Sequence, residues 1–566
     1  MKSDITRDTF VAANHFSRVI RQQGRVDVDA DSNEQTSILL HYLRTLAADL
    51  IGPYAAPVMA AGFRLGKDSN ESLTISAGRY YVQGILVENE AACLYTEQPY
   101  NPLPKDDALT KALKDKQGNA RYWVYLDVWE QHVTSLEDDD IREKALGGPD
   151  TCTRAKVTWQ VRALDASDNT QQDRRNKRQQ WLTNKRTALQ TQLAATNSTL
   201  AKAKLQAQID KVNAQLDALN KPEPQGIAAA CPFLLDYVYP LSDASMGARL
   251  DPGSQSVNAC VISPDSKFTG GENQLYRVEI HRGGVADEAT FKWSRDNGSL
   301  ATALLGTSNM DLEVADARGF SSGNWVELVD DVAEFQGLPG TLARLSKVEG
   351  NTLSVYPDSV QNSNALQWSD DWVNPKVRRW DHFETEDTLL EADGSILIQE
   401  TPIGVSDDDQ SAAKWMPLEN GIQVRFAEGG FYRTGDYWLI PARVATGGIE
   451  WPASDSDNVG TITAQLTAHG VAHYYAPLGI IDWANQKLGI ESCNCEFEPL
   501  SSCFAGGSVA VGARLLNNEL LFPEDRPAVA TPTAPRTPGR TRTTERTTAR
   551  TASKTRVARK RGGGGQ

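Results

Sequence analysis

Along residues 5–30 the apolar side chains come singly among polar ones with no sustained period, and the stretch reads as an extended arm. From Asn33 to Ile51 the pattern changes. Ile38, Leu39, Tyr42, Leu43, Leu46 and Leu50 recur at helical spacing and predict one amphipathic helix. Asp31 or Asn33 can cap its start, and Gly52-Pro53 stops it. Arm and helix together have the pattern of a segment that packs on its own domain or wraps a neighbour.

From Gly62 onward the period shortens to two. Leu73-Thr74-Ile75, Arg79-Tyr80-Tyr81-Val82 and Ile85-Leu86-Val87 are short strands broken by Gly78 and Gly84. Arg121 to Trp129 and Val157 to Leu164 are aromatic-rich and branched, as strands are, with a solvated acidic loop at Glu137-Asp138-Asp139-Asp140 between them. Strands return at Cys231 to Tyr239, Ala259 to Ile262, Leu275 to His281 and Ala289 to Trp293. The Gly-punctuated strands of residues 310–357 predict a small five-stranded barrel or barrel-like sheet. Gly421 to Phe426, Asp436 to Pro441 and His473 to Ile480 continue the β pattern.

One insertion breaks it. Residues 171–221 lack Gly and Pro and are rich in Gln, Ala, Lys and Leu. Leu182, Leu189, Leu193 and Leu200 form one apolar set; Leu205, Ile209, Val212, Leu216 and Leu219 form a heptad-spaced second set. The register breaks near Thr196-Asn197-Ser198, so the pattern predicts two antiparallel helices of roughly 20 to 25 residues, the second capped by Ser198. One straight helix of about 50 residues would carry the chain on the order of 75 Å from the strand it left. A hairpin returns it, and projects from the β body.

The expected architecture is therefore mainly β and multidomain, of sandwich- or barrel-like modules, with an N-terminal helix, an inserted helical hairpin and a disordered basic tail. The expected divisions are an arm and helix (1–52), a β-rich domain (53–165 with 222–305), the hairpin (166–221), the barrel-like unit (306–362), a C-terminal β-rich region (363–526) and the tail (527–566).

Charge changes this picture only at the end of the chain. Residues 527–566 hold ten Lys or Arg against Glu545, a net +9, which leaves −24 on residues 1–526 of a chain whose net charge is −15. An acidic body disfavours nucleic acid as a partner of the folded part. The tail, interleaved with Thr and Pro, is suited to nonspecific attraction to an acidic partner that weakens with salt. No apolar run approaches the roughly 20 residues of a membrane span. The start lacks an apolar signal core, so assembly in the cytoplasm without a signal peptide is expected.

Candidate chemistry is sparse. Asp27, Asp29, Asp31 and Asn33 evoke a calcium loop, but the positions that require Gly and Glu are Ser32 and Ile38. Cys493, Cys495 and Cys503, with His469 and His473, could make a tetrahedral zinc site, form a disulfide or stay free; their spacing matches no standard pattern. Seven scattered cysteines do not make a disulfide scaffold, and folding in a reducing cytoplasm is the simpler expectation. The nucleophile elbow, phosphate loop and His-Glu-x-x-His are absent from the sequence. Neighbours such as Asp330-Asp331 and Asp370-Asp371 point to opposite faces of a strand and make poor acid/base pairs. No catalytic, cofactor or metal residue is assigned, and the chain is not expected to be an enzyme.

Several long stretches resemble an uncharacterised bacterial family encoded with contractile phage-tail-like particles, including extracellular contractile injection systems. They are DITRDTF, QQGRVDVDADSNEQ and HYLRTLAADLIGP near the start, then YLDVWEQHVTSLEDDDIREKALGGPDTCTRAKVTWQV, ENQLYRVEIHRGG, ATFKWSRDNGS, GNWVELVDD, YRTGDYWLIPAR and HGVAHYYAPLGII. The resemblance implies a structural or adaptor protein at the baseplate periphery, at a fibre attachment or at the tail end. Its partners would be baseplate, tube, sheath or fibre proteins, and it would be a homo-oligomer because such particles are symmetric. It would end as part of a particle that reaches the outside on release. Cargo loaded through the basic tail is the alternative, and a glycan-active hydrolase on a fibre a second.

Overall fold

A computed structural model describes residues 1–498 except 101–102, 105–106, 116–119, 167–168, 196–198, 221–230, 232–241, 243, 253–266, 386–387, 403–404, 408, 410–411, 453–454, 458–459 and 486. The chain divides into two units, Met1–Cys503 and Phe504–Gln566, and all described residues lie in the first. The body is mainly β, in several sheets. Its principal elements are α1 (Asp29–Ile51), β1 (Ala120–Val133), β2 (Arg154–Asp165), α2 (Asn169–Ala195), α3 (Thr199–Leu219), β3 (Gln274–Arg282), β4 (Thr290–Ser294), β5 (Ala301–Ser308), β6 (Asp311–Val314), β7 (Trp325–Val329), α4 (Asp331–Gln336), β8 (Thr341–Glu349), β9 (Thr352–Val355), β10 (Lys376–Trp380), β11 (Ile422–Ala427), β12 (Tyr437–Arg443), β13 (His473–Ala484) and β14 (Lys487–Ser492).

Alternation places the side chains. In β1, Tyr122, Val124, Leu126 and Val128 enter a core shared with the short strands of residues 54–94, while Trp123 and Tyr125 pack on the reverse face. β13 returns from far along the chain to pair antiparallel with β1, Tyr122 opposite Ile481, in a sheet ordered β14-β13-β1-β2. A second core lies between β3, β4 and β12 on one side and β11 with residues 245–250 on the other. The third is a closed barrel, β5-β6-β9-β8-β7-β10.

Three expectations change here. The barrel has six strands, because β10 closes it between β5 and β7. The cores also do not follow consecutive divisions: residues 473–492 belong with the first sheet, and residues 396–443 with β3 and β4. Local periodicity identifies strands but carries no information on pairing partners hundreds of residues away. The helix starts earlier than Asn33, at Asp29, with Val28 in the cap position and no side-chain cap. Asp29 is occupied elsewhere, accepting hydrogen bonds from the Thr6 amide (2.9 Å) and hydroxyl (2.7 Å).

The insertion is a helical hairpin whose facing sets, Leu182 and Leu189 against Leu205, Ile209, Val212 and Leu216, are buried together. It does not stand clear of the body as expected. Lys185 Nζ donates to the Gly429 carbonyl at 2.7 Å, and a cavity of about 260 Å³ lies between Trp181, Leu189 and Glu400. The expected cap Ser198 lies outside the described residues, as do the expected strand at 259–262, all of 231–239 but Cys231, and the tail at 527–566. Cys231 is joined to Cys493 by a disulfide that packs against Trp123 and Tyr125 on the reverse face of the first sheet.

Candidate functional site

Two regions depart from the ordinary partition of apolar inside and charged outside. The first is a cavity of about 290 Å³ where the first sheet, the barrel and the second sheet pair converge. β3 explains how charge reaches it. Tyr276, Val278 and Ile280 enter the second core, so Arg277, Glu279 and His281 occupy the opposite face by alternation. β4 does the same with Phe291 and Trp293 against Lys292, and β10 with Val377 against Lys376 and Arg378. The barrel and the first sheet cover this polar face, so all of these charged groups are buried.

Each buried cation among the lysines has carboxylates. Lys376 Nζ reaches Glu137 at 2.6 Å, Asp331 at 2.8 Å and Glu334 at 3.2 Å, tying the loop after β1 to α4 and β10. Lys292 pairs with Glu327 and lies 3.5 Å from Glu279. Arg277 donates to Glu279 at 2.5 Å, with its guanidinium 3.5 Å above the Tyr437 ring. Lys2, at the front of the arm, enters the same junction and bridges Glu279 (3.2 Å) and Glu334 (3.3 Å). Asn297 holds the arm backbone by donating to the Met1 (3.1 Å) and Ser3 (2.8 Å) carbonyls.

Burial alone would push Glu279 up, but Lys2, Arg277 and Lys292 carry it down to about 2. Burial likewise opposes ionisation of Glu137, yet Lys376 holds it below the usual range. Asp331 goes the other way, raised by burial in spite of Lys376. Burial pushes the imidazole of His132 down to about 3, with Arg378 adding to the effect, so it is neutral. The arrangement is an ion network in which the carboxylates neutralise cations. Chemically it locks three modules and the arm into one register. The sequence expectation of a solvated loop at 137–140 is corrected for Glu137, which is buried on Lys376; Asp139 and Asp140 are exposed.

The second region is the N-terminal segment, which is fixed to the body yet presents apolar surface. Arg7 makes two 2.9 Å bonds to the Glu450 carboxylate, and Arg443 donates to the Thr6 carbonyl at 3.0 Å. The arm then runs back along α1, with Thr9 on Glu34 (2.6 Å) and the Val19 amide on Gln35 (2.8 Å). α1 itself seats on the turn at Gly84, which has a φ of +78° and no room for a side chain: a Cβ there would lie 2.0 Å from the Arg44 carbonyl oxygen. Arg44 also pairs with Glu130 at 2.7 Å. Ala30 and Ile38 are the buried residues of this helix.

The remaining apolar positions of α1 face outward. Leu39, Leu43, Leu46 and Leu50 are 53%, 63%, 57% and 59% exposed, and Tyr42 and Leu40 flank them. Thirteen of the 23 exposed large hydrophobic side chains among the described residues lie within residues 1–58. Scattered exposed apolar residues are ordinary, but a cluster of this kind marks an interaction surface. The sequence pattern located the stripe correctly; of its six residues only Ile38 turns inward.

The other candidates of the sequence are not brought together. Asp27 pairs with Arg21, Asp29 holds Thr6, and Asp31 and Asn33 lie within α1. Of the alternatives left open for Cys493, the structure has a disulfide, to Cys231, which removes it from any zinc set. His473 pairs with Asp127 at 2.6 Å and stacks on Trp129, and His469 packs against Tyr437. Cys495 is a free, exposed thiol, and Cys503 lies outside the described residues. Asp330 caps α4 by accepting from the Ala333 amide, while Asp331 holds Lys376. The buried charges of β3, β4 and β10 were not singled out from sequence, since alternation alone reads the same whether water or protein covers the polar face.

The chain belongs to a family of unknown function, DUF6519, whose profile matches residues 1–563. No curated protein matches the sequence. Among solved structures, the chain described as "Crystal structure of TssK" aligns at 10% identity with a TM-score of 0.16, covering 64% of this chain and 96% of that one. At that TM-score no shared architecture is inferred. Among the described residues no helix is long and apolar enough to cross a membrane, which leaves strands unaddressed.

Proposed function

We propose that this chain is a structural or adaptor component of a contractile tail-like particle, acting by protein–protein assembly rather than by catalysis. The observation that carries the assembly reading is the exposed apolar row on α1, held in a fixed position by the Gly84 seat, the Arg44–Glu130 pair and the arm. A surface that is both apolar and rigidly mounted loses little conformational freedom on docking. The particle context rests on the family resemblance of the stretches quoted above, from DITRDTF to HGVAHYYAPLGII. Within that reading, the junction's role is to make the modules one rigid body that carries load between its partners.

The test is purification of particles from cells that carry the gene and from cells that lack it, with quantitative peptide mass spectrometry. The expected result is this chain at a fixed ratio to the sheath protein and accessible to antibody on the particle exterior. Its absence from the particles, or its recovery only from the tube lumen, contradicts the reading, and the second outcome favours cargo.

A further inference from the structure

The spacing on the exposed face of α1 specifies what covers it. Leu39, Leu43, Leu46 and Leu50 follow one another at intervals of four, three and four, which is the seam of a coiled coil, with leucine at every seam position. A seam of this kind is complementary to a second helix with the same spacing. The flanks carry almost no charge to select a different partner. The residues beside the seam are Leu40, Tyr42, Ala47 and Asp49, and the nearby Arg44 is already bound to Glu130 at 2.7 Å. Partner choice at coiled-coil flanks is set by charge, and like charges there would oppose self-pairing. With Asp49 the one carboxylate among these four positions, self-pairing meets little opposition.

The exposed surface is also of sufficient size. Each seam leucine leaves more than half of its surface in water. Together with Leu40 and Tyr42 the four seam leucines expose on the order of 500 Å², at about 100 Å² for each side chain. The arm extends the patch. Val19 and Arg21 bond to Gln35 and Ser32, and the intervening Ile20 is 70% exposed beside the earlier turns of α1. A standard interface takes about 800 Å² from each partner, and seam and arm together approach that size.

We infer that the α1 row is covered by α1 of a second copy of this chain, so that the protein self-associates through residues 39–50. This deepens the assembly reading given above and rests on it. The body outside the tail carries −24, so copies repel at low salt and the contact strengthens as salt is added. A contact with an oppositely charged partner would weaken instead.

Sedimentation velocity on the full chain at micromolar concentration tests the inference. The wild type is expected to be oligomeric. The double variants Leu43→Glu/Leu46→Glu and Leu43→Lys/Leu46→Lys are each expected to be monomeric, with unchanged circular dichroism, and an equimolar mixture of the two is expected to re-form the oligomer. The mixing arm works for parallel or antiparallel packing, since positions 43 and 46 both carry the charge. The milder pair Leu43→Gln/Leu46→Gln, expected to weaken self-association at least tenfold, serves if a charged variant fails to fold. A monomeric wild type, an oligomer that none of these substitutions affects, or a mixture that stays monomeric would overturn the inference. Particle content separates the two proposals. A monomeric chain still present on particles defeats only self-pairing, and an α1-dependent oligomer absent from particles defeats only the particle role.

Discussion

The three-module junction and the α1 face invert the usual arrangement in opposite ways. At the junction, charges are buried: Lys376, Lys292, Arg277, Glu279 and Glu327 are all nearly inaccessible. On α1, leucines are exposed. Buried ion pairs add little net stability over a well-packed apolar core, but removing one partner is severely destabilising. Exposed leucines behave in the reverse manner, contributing almost nothing to the fold of the isolated chain. The first region therefore acts within one chain, where it fixes module register. The second, on the reading proposed above, acts between chains.

Substitutions can break that contrast, beginning with the largest effect. Lys376→Ala leaves Glu137 and Asp331 without their cation and Glu334 with Lys2 alone. It is expected to cost roughly 3–5 kcal/mol in denaturant unfolding, while the folded fraction keeps its state of association. A small loss would show that the junction tolerates rearrangement and does not set register.

Acid probes the same network. Glu279 ionises near 2 in the folded chain and near the ordinary 4.5 of a free glutamate when unfolded, so its contribution is fully present above pH 4.5 and lost as pH falls from there towards 2. His132 adds to this earlier: neutral down to about 3 when folded, it binds a proton in the unfolded chain below about 6.5, so stability falls as pH drops through that interval. Unfolding midpoints measured from pH 7 down to pH 3 are expected to decline throughout. A midpoint flat across that range contradicts the burial of these groups.

Gly84→Ala places a methyl against the Arg44 carbonyl at a left-handed backbone position. It is expected to cost about 1–3 kcal/mol, and to loosen α1 selectively, read as faster proteolysis within residues 1–52 than elsewhere. Uniform protection would separate the seat of α1 from its stability. The smallest effect on folding belongs to Leu43→Gln/Leu46→Gln, expected within about 0.5 kcal/mol of wild type because both side chains are already exposed. That variant should nonetheless abolish most self-association.

The sequence revealed these two regions unequally. The α1 row was legible because helical period is a local property: Leu39, Tyr42, Leu43, Leu46 and Leu50 announce a face, although not whether the chain itself covers it. The hairpin was legible for the same reason, from the register break near Thr196-Asn197-Ser198, although Leu200, grouped with the first apolar set, lies in the second helix. The junction was not legible. Arg277, Glu279, Lys292 and Lys376 sit at alternate positions of ordinary-looking strands, and their burial depends on the barrel and the β1 loop folding over them. The sixth barrel strand and the return of β13 to β1 escaped for a related reason, since pairing between Tyr122 and Ile481 leaves no local mark. The disulfide between Cys231 and Cys493 spans 262 residues and could not be read from cysteine spacing.

Both proposals make the N-terminal segment an assembly surface. A side-chain-resolution map of the assembled particle tests it most directly. Leu39, Leu43, Leu46 and Leu50 are expected to be buried beneath protein density that obeys the particle's symmetry, with α1 of another copy across the seam. Those four side chains facing solvent in a fully occupied, symmetric chain would contradict it.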